Sequence, residues 1–114
     1  YNVRGKNKIE ADQLIEDAQS LEKLGCFSTV LEKIPHKLSE EISKKTKFPL
    51  IGIGAGNNVD GQVLVIHDLI GLTNEFNPRF IRRYLDLNSS IKSAVSQFIK
   101  DVKSSDFPSK DEMY

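Results

Sequence analysis

The sequence is poor in the features that mark most specialised chains. It holds a single cysteine, Cys26, so no internal disulfide can form, and no Cys/His cluster has zinc-ligand spacing. A reducing, cytoplasmic compartment is the expectation. It has no excess of charge: sixteen Lys and Arg balance sixteen Asp and Glu. That balance gives no basic footprint for a nucleic acid and no attraction to an anionic membrane surface. It also lacks long apolar runs, all of which fall far short of the roughly 20 residues that a membrane helix needs. No internal repeat or low-complexity tract is present. The chain opens on Tyr1-Asn2-Val3-Arg4, without an initiator methionine or a hydrophobic leader, which is a first sign of a fragment. What remains is an ordinary globular composition, 39% hydrophobic and 28% charged over 114 residues, enough for one small domain and too little for two.

Two periodicities alternate along it. Residues 9 to 24 carry Leu14, Ile15, Ala18, Leu21 and Leu24 at the spacing of one helical face. Asn7 is placed to cap that helix, Glu10 to complete a capping box, and Gly25 to stop it. Cys26 to Leu31 then reads as a strand ending at Glu32. Pro35 suits the first turn of a second helix, with Leu38 and Ile42 buried and Lys44, Lys45 and Lys47 loading its C-terminal end. After Phe48-Pro49 come a strand Leu50–Ile53, the run Gly54-Ala55-Gly56, and a third strand Val63–Ile66 ending at His67-Asp68. Two further amphipathic helices are expected. One follows Pro78, with Phe80, Ile81, Tyr84 and Leu85 inward. The other starts near Ser89 or Ser90, with Ile91, Val95, Phe98 and Val102 inward. A polar tail from Ser104, with Phe107 and Tyr114 free to dock, closes the chain.

Strand, helix, strand is the grammar of a parallel sheet. The strands are apolar throughout, so burial on both faces is expected. Three such strands leave two open edges, which points to an α/β chain cut from a larger barrel. The segment between Ile53 and Val63 is about the shortest that permits a parallel crossover. A short turn or one-turn helix is expected there, since a hairpin would spoil the barrel.

In a parallel barrel the chemistry sits at the carboxyl ends of the strands. Those ends are Glu32, Gly54 to Gly56, and His67-Asp68. A carboxylate partly desolvated at Glu32 would suit a general acid or base; the alternative is a surface glutamate paired with Lys33 or Lys37. The Gly52–Gly56 run resembles a phosphate cradle but lacks the glycine required at Asn57 and the Lys-Ser/Thr pair of a P-loop. Its other reading is tight packing and a sharp strand exit. His67 and Asp68 look like a base and its orienting carboxylate, yet neighbours on a strand point to opposite faces, which leaves a supporting role for one of them. His36 reads as solvated.

The stretches Val30-Leu31-Glu32-Lys33-Ile34-Pro35, Ile51-Gly52-Ile53-Gly54-Ala55-Gly56 and Asp60 to Gly71 are together similar to the ketopantoate hydroxymethyltransferase family. The opening Tyr1 to Lys6 is similar to that family's segment past its fifth barrel strand. The resemblance runs from residue 1 to about residue 108. It implies the C-terminal portion of a (βα)₈ barrel of the phosphoenolpyruvate/pyruvate-binding superfamily, about strands six to eight in residues 1–103, with 104–114 as tail. It implies transfer of a hydroxymethyl group from 5,10-methylenetetrahydrofolate to 3-methyl-2-oxobutanoate, giving 2-dehydropantoate for pantothenate and coenzyme A synthesis. It implies Mg²⁺ as a Lewis acid on the oxo acid, and a homo-oligomer, a decamer in many members. Glu32 falls on the family's catalytic glutamate in its L-E-x-[IV]-P motif. The family's metal carboxylates lie in earlier strands, so Asp60 and Asp68 are not assigned as ligands, no metal site is expected here, and the chain alone is expected to be inactive. Two other functions are consistent with the residues: a small phosphate- or nucleotide-binding module on Gly52–Gly56, and a carbon–carbon lyase of the same superfamily, whose cysteine motif is missing.

Overall fold

Helix α1 (Lys8–Lys23) starts directly after Asn7, which is extended: its side chain accepts the Glu10 N–H at 2.9 Å, satisfying one of the first-turn donors. Ile15 and Ala18 are its buried residues, and Gly25 takes the turn out at φ +88°. Strand β1 (Thr29–Glu32) follows, then helix α2 (His36–Lys45) and strand β2 (Leu50–Ile53). Pro35 sits one place earlier than expected, at the cap of α2 and not in its first turn: its φ of −57° suits a helix, but its ψ of 136° is extended. Two short elements, strand β3 (Gly61–Gln62) and helix α3 (Ile66–Leu69), precede the long helix α4 (Leu87–Ser104) and a 3₁₀ turn (Lys110–Glu112). This computed structural model describes residues 2–114. The chain divides into two compact units, Tyr1–Leu64 and Val65–Tyr114.

In the first unit β1, β2 and β3 lie side by side in that order, all parallel. Thr29 pairs with Leu50, Leu31 with Gly52, and Glu32 with Ile53. One face of this sheet closes on the helices: Leu31, Leu50, Ile15, Ala18, Leu38 and Ile42 share one core. Ile42 and Leu50 are 0% and 1% exposed, and complete burial of such a side chain stabilises by about 1.5–3 kcal/mol. The turn from α2 to β2 is tied to α1, because the Glu22 carboxylate accepts the N–H groups of Lys47 and Phe48 at 2.6 and 3.0 Å.

The other face is open, contrary to the expectation from uniformly apolar strands. Along β1 exposure alternates, Leu31 at 8% against Val30 at 57%. The first strand is also shorter than expected. Cys26 is exposed and Phe27 is 88% exposed, and pairing begins with Thr29 N–H donating to Pro49 C=O at 3.1 Å.

The β2–β3 connection takes only residues 54–60, less than the dozen or so usual for parallel strands, and it is not a hairpin. Gly54 at φ +63° and Gly56 at φ +85° fold it back on itself. Asp60 and Leu50 then bond reciprocally: the Asp60 N–H donates to Leu50 C=O at 3.0 Å, and the Leu50 N–H to the Asp60 carboxylate at 2.8 Å. That pair fixes β3 beside β2.

The third strand is not Val63–Ile66. Pairing occupies Gly61 and Gln62, with a last rung from Val63 N–H to Gly52 C=O at 2.9 Å. Past that rung β2 turns away at Gly54, so the apolar run has no backbone to pair with. Val63, Val65 and Ile66 stay exposed, and the chain enters α3.

In the second unit no helix forms over residues 78–85. The backbone there bonds to loops: Ile81 N–H to Pro78 C=O, and Tyr84 N–H to Leu69 C=O. The Arg83 guanidinium donates to the carbonyls of Thr73 and Phe76 and to Asn77 Oδ1. Phe80 and Ile81 are half-buried, but Tyr84 and Leu85 are exposed. Helix α4 begins at Leu87, earlier than expected, because Asp86 caps it by accepting the Ser89 N–H at 3.1 Å. Its Ile91, Val95, Phe98 and Val102 are exposed, where an inward face was expected. The 104–114 stretch carries the 3₁₀ turn, closed by a capping box of Ser109 and Glu112, and the Phe107 ring meets Phe98 edge-on with centroids 5.4 Å apart. Tyr114 is fully exposed.

Candidate functional site

Parallel pairing brings the carboxyl ends of β1, β2 and β3 to the same end of the sheet, so Glu32, the Gly54–Gly56 turn and Gln62 share one neighbourhood. Leu31 points into the core and Glu32, one residue on, to the open face. Its register partner Ile53 and the Val30–Ile51 pair stand on that same face. The Glu32 side chain is exposed, so this chain alone does not desolvate the carboxylate as the sequence suggested. Directly after it Lys33 adopts φ +52°, and its N–H donates to Ile53 C=O at 2.8 Å.

The glycine turn is held from beneath by groups that the sequence did not single out. The Ser39 hydroxyl, completely buried in α2, donates to Ala55 C=O. The Gln62 side-chain amide donates to Gly56 C=O at 2.8 Å. Gly56 lies against the start of α2, where an added Cβ would come 2.4 Å from the Cβ of His36. Gly52 is equally crowded, since a Cβ there would meet Val59 and Gln62 at 3.0–3.2 Å. These contacts favour packing and a sharp strand exit as the purpose of the glycines. Neither carried a sequence signal: Ser39 lies inside the second helix beside Glu40 and Glu41, and Gln62 follows Asp60-Gly61 with nothing to mark it.

His67 and Asp68 are not at a strand end. They occupy α3 in the second unit, His67 exposed and Asp68 half-buried, because the third strand ends at Gln62. His36 is exposed at the start of α2, as expected. Among the described residues no three His, Cys, Asp or Glu side chains gather so as to hold a metal ion. The side chains present therefore do not fit a magnesium site. No helix among the described residues is long and apolar enough to cross a membrane.

A parallel three-stranded layer with helices packed on one face defines an α/β protein. Residues 1–110 match the model of the family described as ketopantoate hydroxymethyltransferase. The chain belongs to that family. It is 58% identical over its whole length to 3-methyl-2-oxobutanoate hydroxymethyltransferase of Flavobacterium johnsoniae and 55% identical to that of Christiangramia forsetii, covering 42% of each. To the protein of the same description from Chlorobaculum parvum it is 56% identical, covering 41%. The chain thus spans less than half the length of the curated relatives it matches.

Proposed function

We propose that the protein carrying this chain transfers a hydroxymethyl group from 5,10-methylenetetrahydrofolate to 3-methyl-2-oxobutanoate, giving 2-dehydropantoate. The observation that carries this reading is the position of Glu32: a carboxylate at the carboxyl end of β1, on the open sheet face, within a chain matched to the family along residues 1–110. In this reading residues 1–103 form about strands six to eight of a (βα)₈ barrel, whose remaining strands cover the open face and complete the site. Glu32 accepts the proton from the carbon next to the oxo group. The electron pair released forms the new carbon–carbon bond to the one-carbon unit of the folate, whose two bonds to nitrogen break in turn. Water supplies the hydroxyl, and the abstracted proton and water's remaining proton end on those nitrogens, leaving tetrahydrofolate. The glycine turn and Gln62 shape the rim beside it. A magnesium ion, implied by the family, would take its ligands from outside this chain. A homo-oligomeric, decameric assembly belongs to the same proposal.

The test is made on the intact gene product, following 2-dehydropantoate formation with magnesium present. Glu32→Gln keeps the shape and removes the base. The expected result is a kcat lowered by about a hundredfold or more, the usual contribution of a positioned acid or base, with KM for the oxo acid little changed. A variant of near-normal kcat reduces Glu32 to a structural residue. Absence of turnover by the wild type refutes the activity itself.

A further inference from the structure

The residue after Glu32 adopts a backbone conformation that an ordinary L-residue avoids. Lys33 has φ +52° and lacks glycine's freedom there, so its surroundings must hold it in place. Its peptide groups are gripped on both sides. The N–H donates to Ile53 C=O at 2.8 Å, a bond that belongs to the sheet. The C=O accepts the N–H of Arg4 at 3.1 Å, and that bond comes from the segment ahead of α1.

The Arg4–Gly5 segment has its own anchor in the first turn of α1. The Glu10 carboxylate accepts the Gly5 N–H at 2.7 Å and pairs with the Arg4 guanidinium. Gly5 is buried at φ +72°, and a Cβ there would lie 2.4 Å from Leu38 Cδ2, so the segment cannot slide toward α2. A continuous path therefore joins the α1 carboxylate to the backbone that aims Glu32: Glu10, Gly5 and Arg4, then the Lys33 carbonyl.

We infer that Glu10 is a positioning residue for Glu32, acting through the Arg4–Lys33 hydrogen bond to fix the direction in which the strand end presents its carboxylate. The inference rests on the reading of Glu32 as the reacting group. Its bland rival is a glutamate that merely steadies the N-terminal turn of α1. The rival predicts a loss of stability with no special relation to Glu32.

A double-mutant cycle on the intact gene product separates the two, since residues acting through one another are not additive. Glu10→Ala, Glu10→Gln, Glu32→Gln and the Glu10→Ala/Glu32→Gln pair are assayed with the oxo acid and methylenetetrahydrofolate, each rate normalised to folded enzyme. Glu10→Ala is expected to lower kcat about tenfold, in keeping with the cost of a sub-ångström to ångström misplacement. KM should stay within about twofold. Glu10→Gln keeps an oxygen for the Gly5 N–H and should recover most of the rate; if the alanine variant does not fold, Glu10→Asp, whose carboxylate is too short for the Gly5 N–H, takes its place in the cycle with the same expected loss. In the Glu32→Gln background, Glu10→Ala should change kcat no further. An equal fold-loss in both backgrounds, or an unchanged kcat in the wild-type background, overturns the inference while leaving Glu32 in place. A near-normal Glu32→Gln overturns the parent reading and this one together.

Discussion

Glu10 shows how one side chain can serve two ends of a connection. Sequence spacing marked it as half of a capping box with Asn7. The structure has Asn7 capping α1 and the Glu10 carboxylate turned to Gly5 and Arg4. The Arg4 guanidinium, and after it the Gly5 N–H, holds the Glu10 carboxyl below its ordinary value. A carboxyl depressed by folding adds stability that is present above its unfolded value, about 4.3, and lost as pH falls through the lower folded one. The thermal midpoint of the wild type should therefore drop more steeply than that of Glu10→Gln from about pH 5 downward, the two curves converging at the acid end. Thermal scans across that range check it. Glu40, lowered by Lys44, and Asp86, lowered by Ser89, are common to both proteins and cancel from the comparison.

At the scale of elements, α2 is the joint of the first unit. Its Leu38 and Ile42 enter the core, Ser39 holds the glycine turn, and His36 backs Gly56. Ile42→Ala removes a fully buried branched side chain from this core. It should cost about 2–5 kcal/mol, read as a lowered urea midpoint of the intact protein. The elements legible in the sequence were those with a full period and a local stop signal: α1 between Asn7 and Gly25, α2 after Pro35, β2 after Pro49. Two others were misread for a shared reason. Val63–Ile66 has the composition of a strand, but a strand also needs a partner, and β2 leaves at Gly54. The 78–85 stretch has helical spacing, but Arg83 and the Leu69 carbonyl bind its neighbourhood into a loop. Partners outside the stretch itself decided both cases. Glu32 was legible because it ends an apolar strand, whereas Gln62 and Ser39 gain meaning only from the turn they hold.

At the scale of the molecule, what stands out is unfinished surface. The edge strands β1 and β3, the face bearing Val30 and Ile51, and the α4 stripe of Ile91, Val95, Phe98 and Val102 all expose groups that ordinarily pair or pack. Edge strands and contiguous apolar surface of this kind invite association. A polypeptide of these 114 residues, made by itself, should self-associate and lack a sharp unfolding transition. Size-exclusion chromatography and calorimetry would show it; a soluble monomer melting cooperatively would mean that these surfaces are tolerated.

The pairing of Glu32 with Ile53 has one more consequence. Side chains in a strand alternate, so a slip of β1 by a single residue would turn Glu32 into the core and Leu31 out to water. A lone carboxylate among Leu38, Ile42 and Leu50 would be a far heavier loss than the displaced leucine. The charge that makes Glu32 a candidate for chemistry thus also proofreads the sheet: a misaligned strand is rejected during folding by the residue that the aligned one presents.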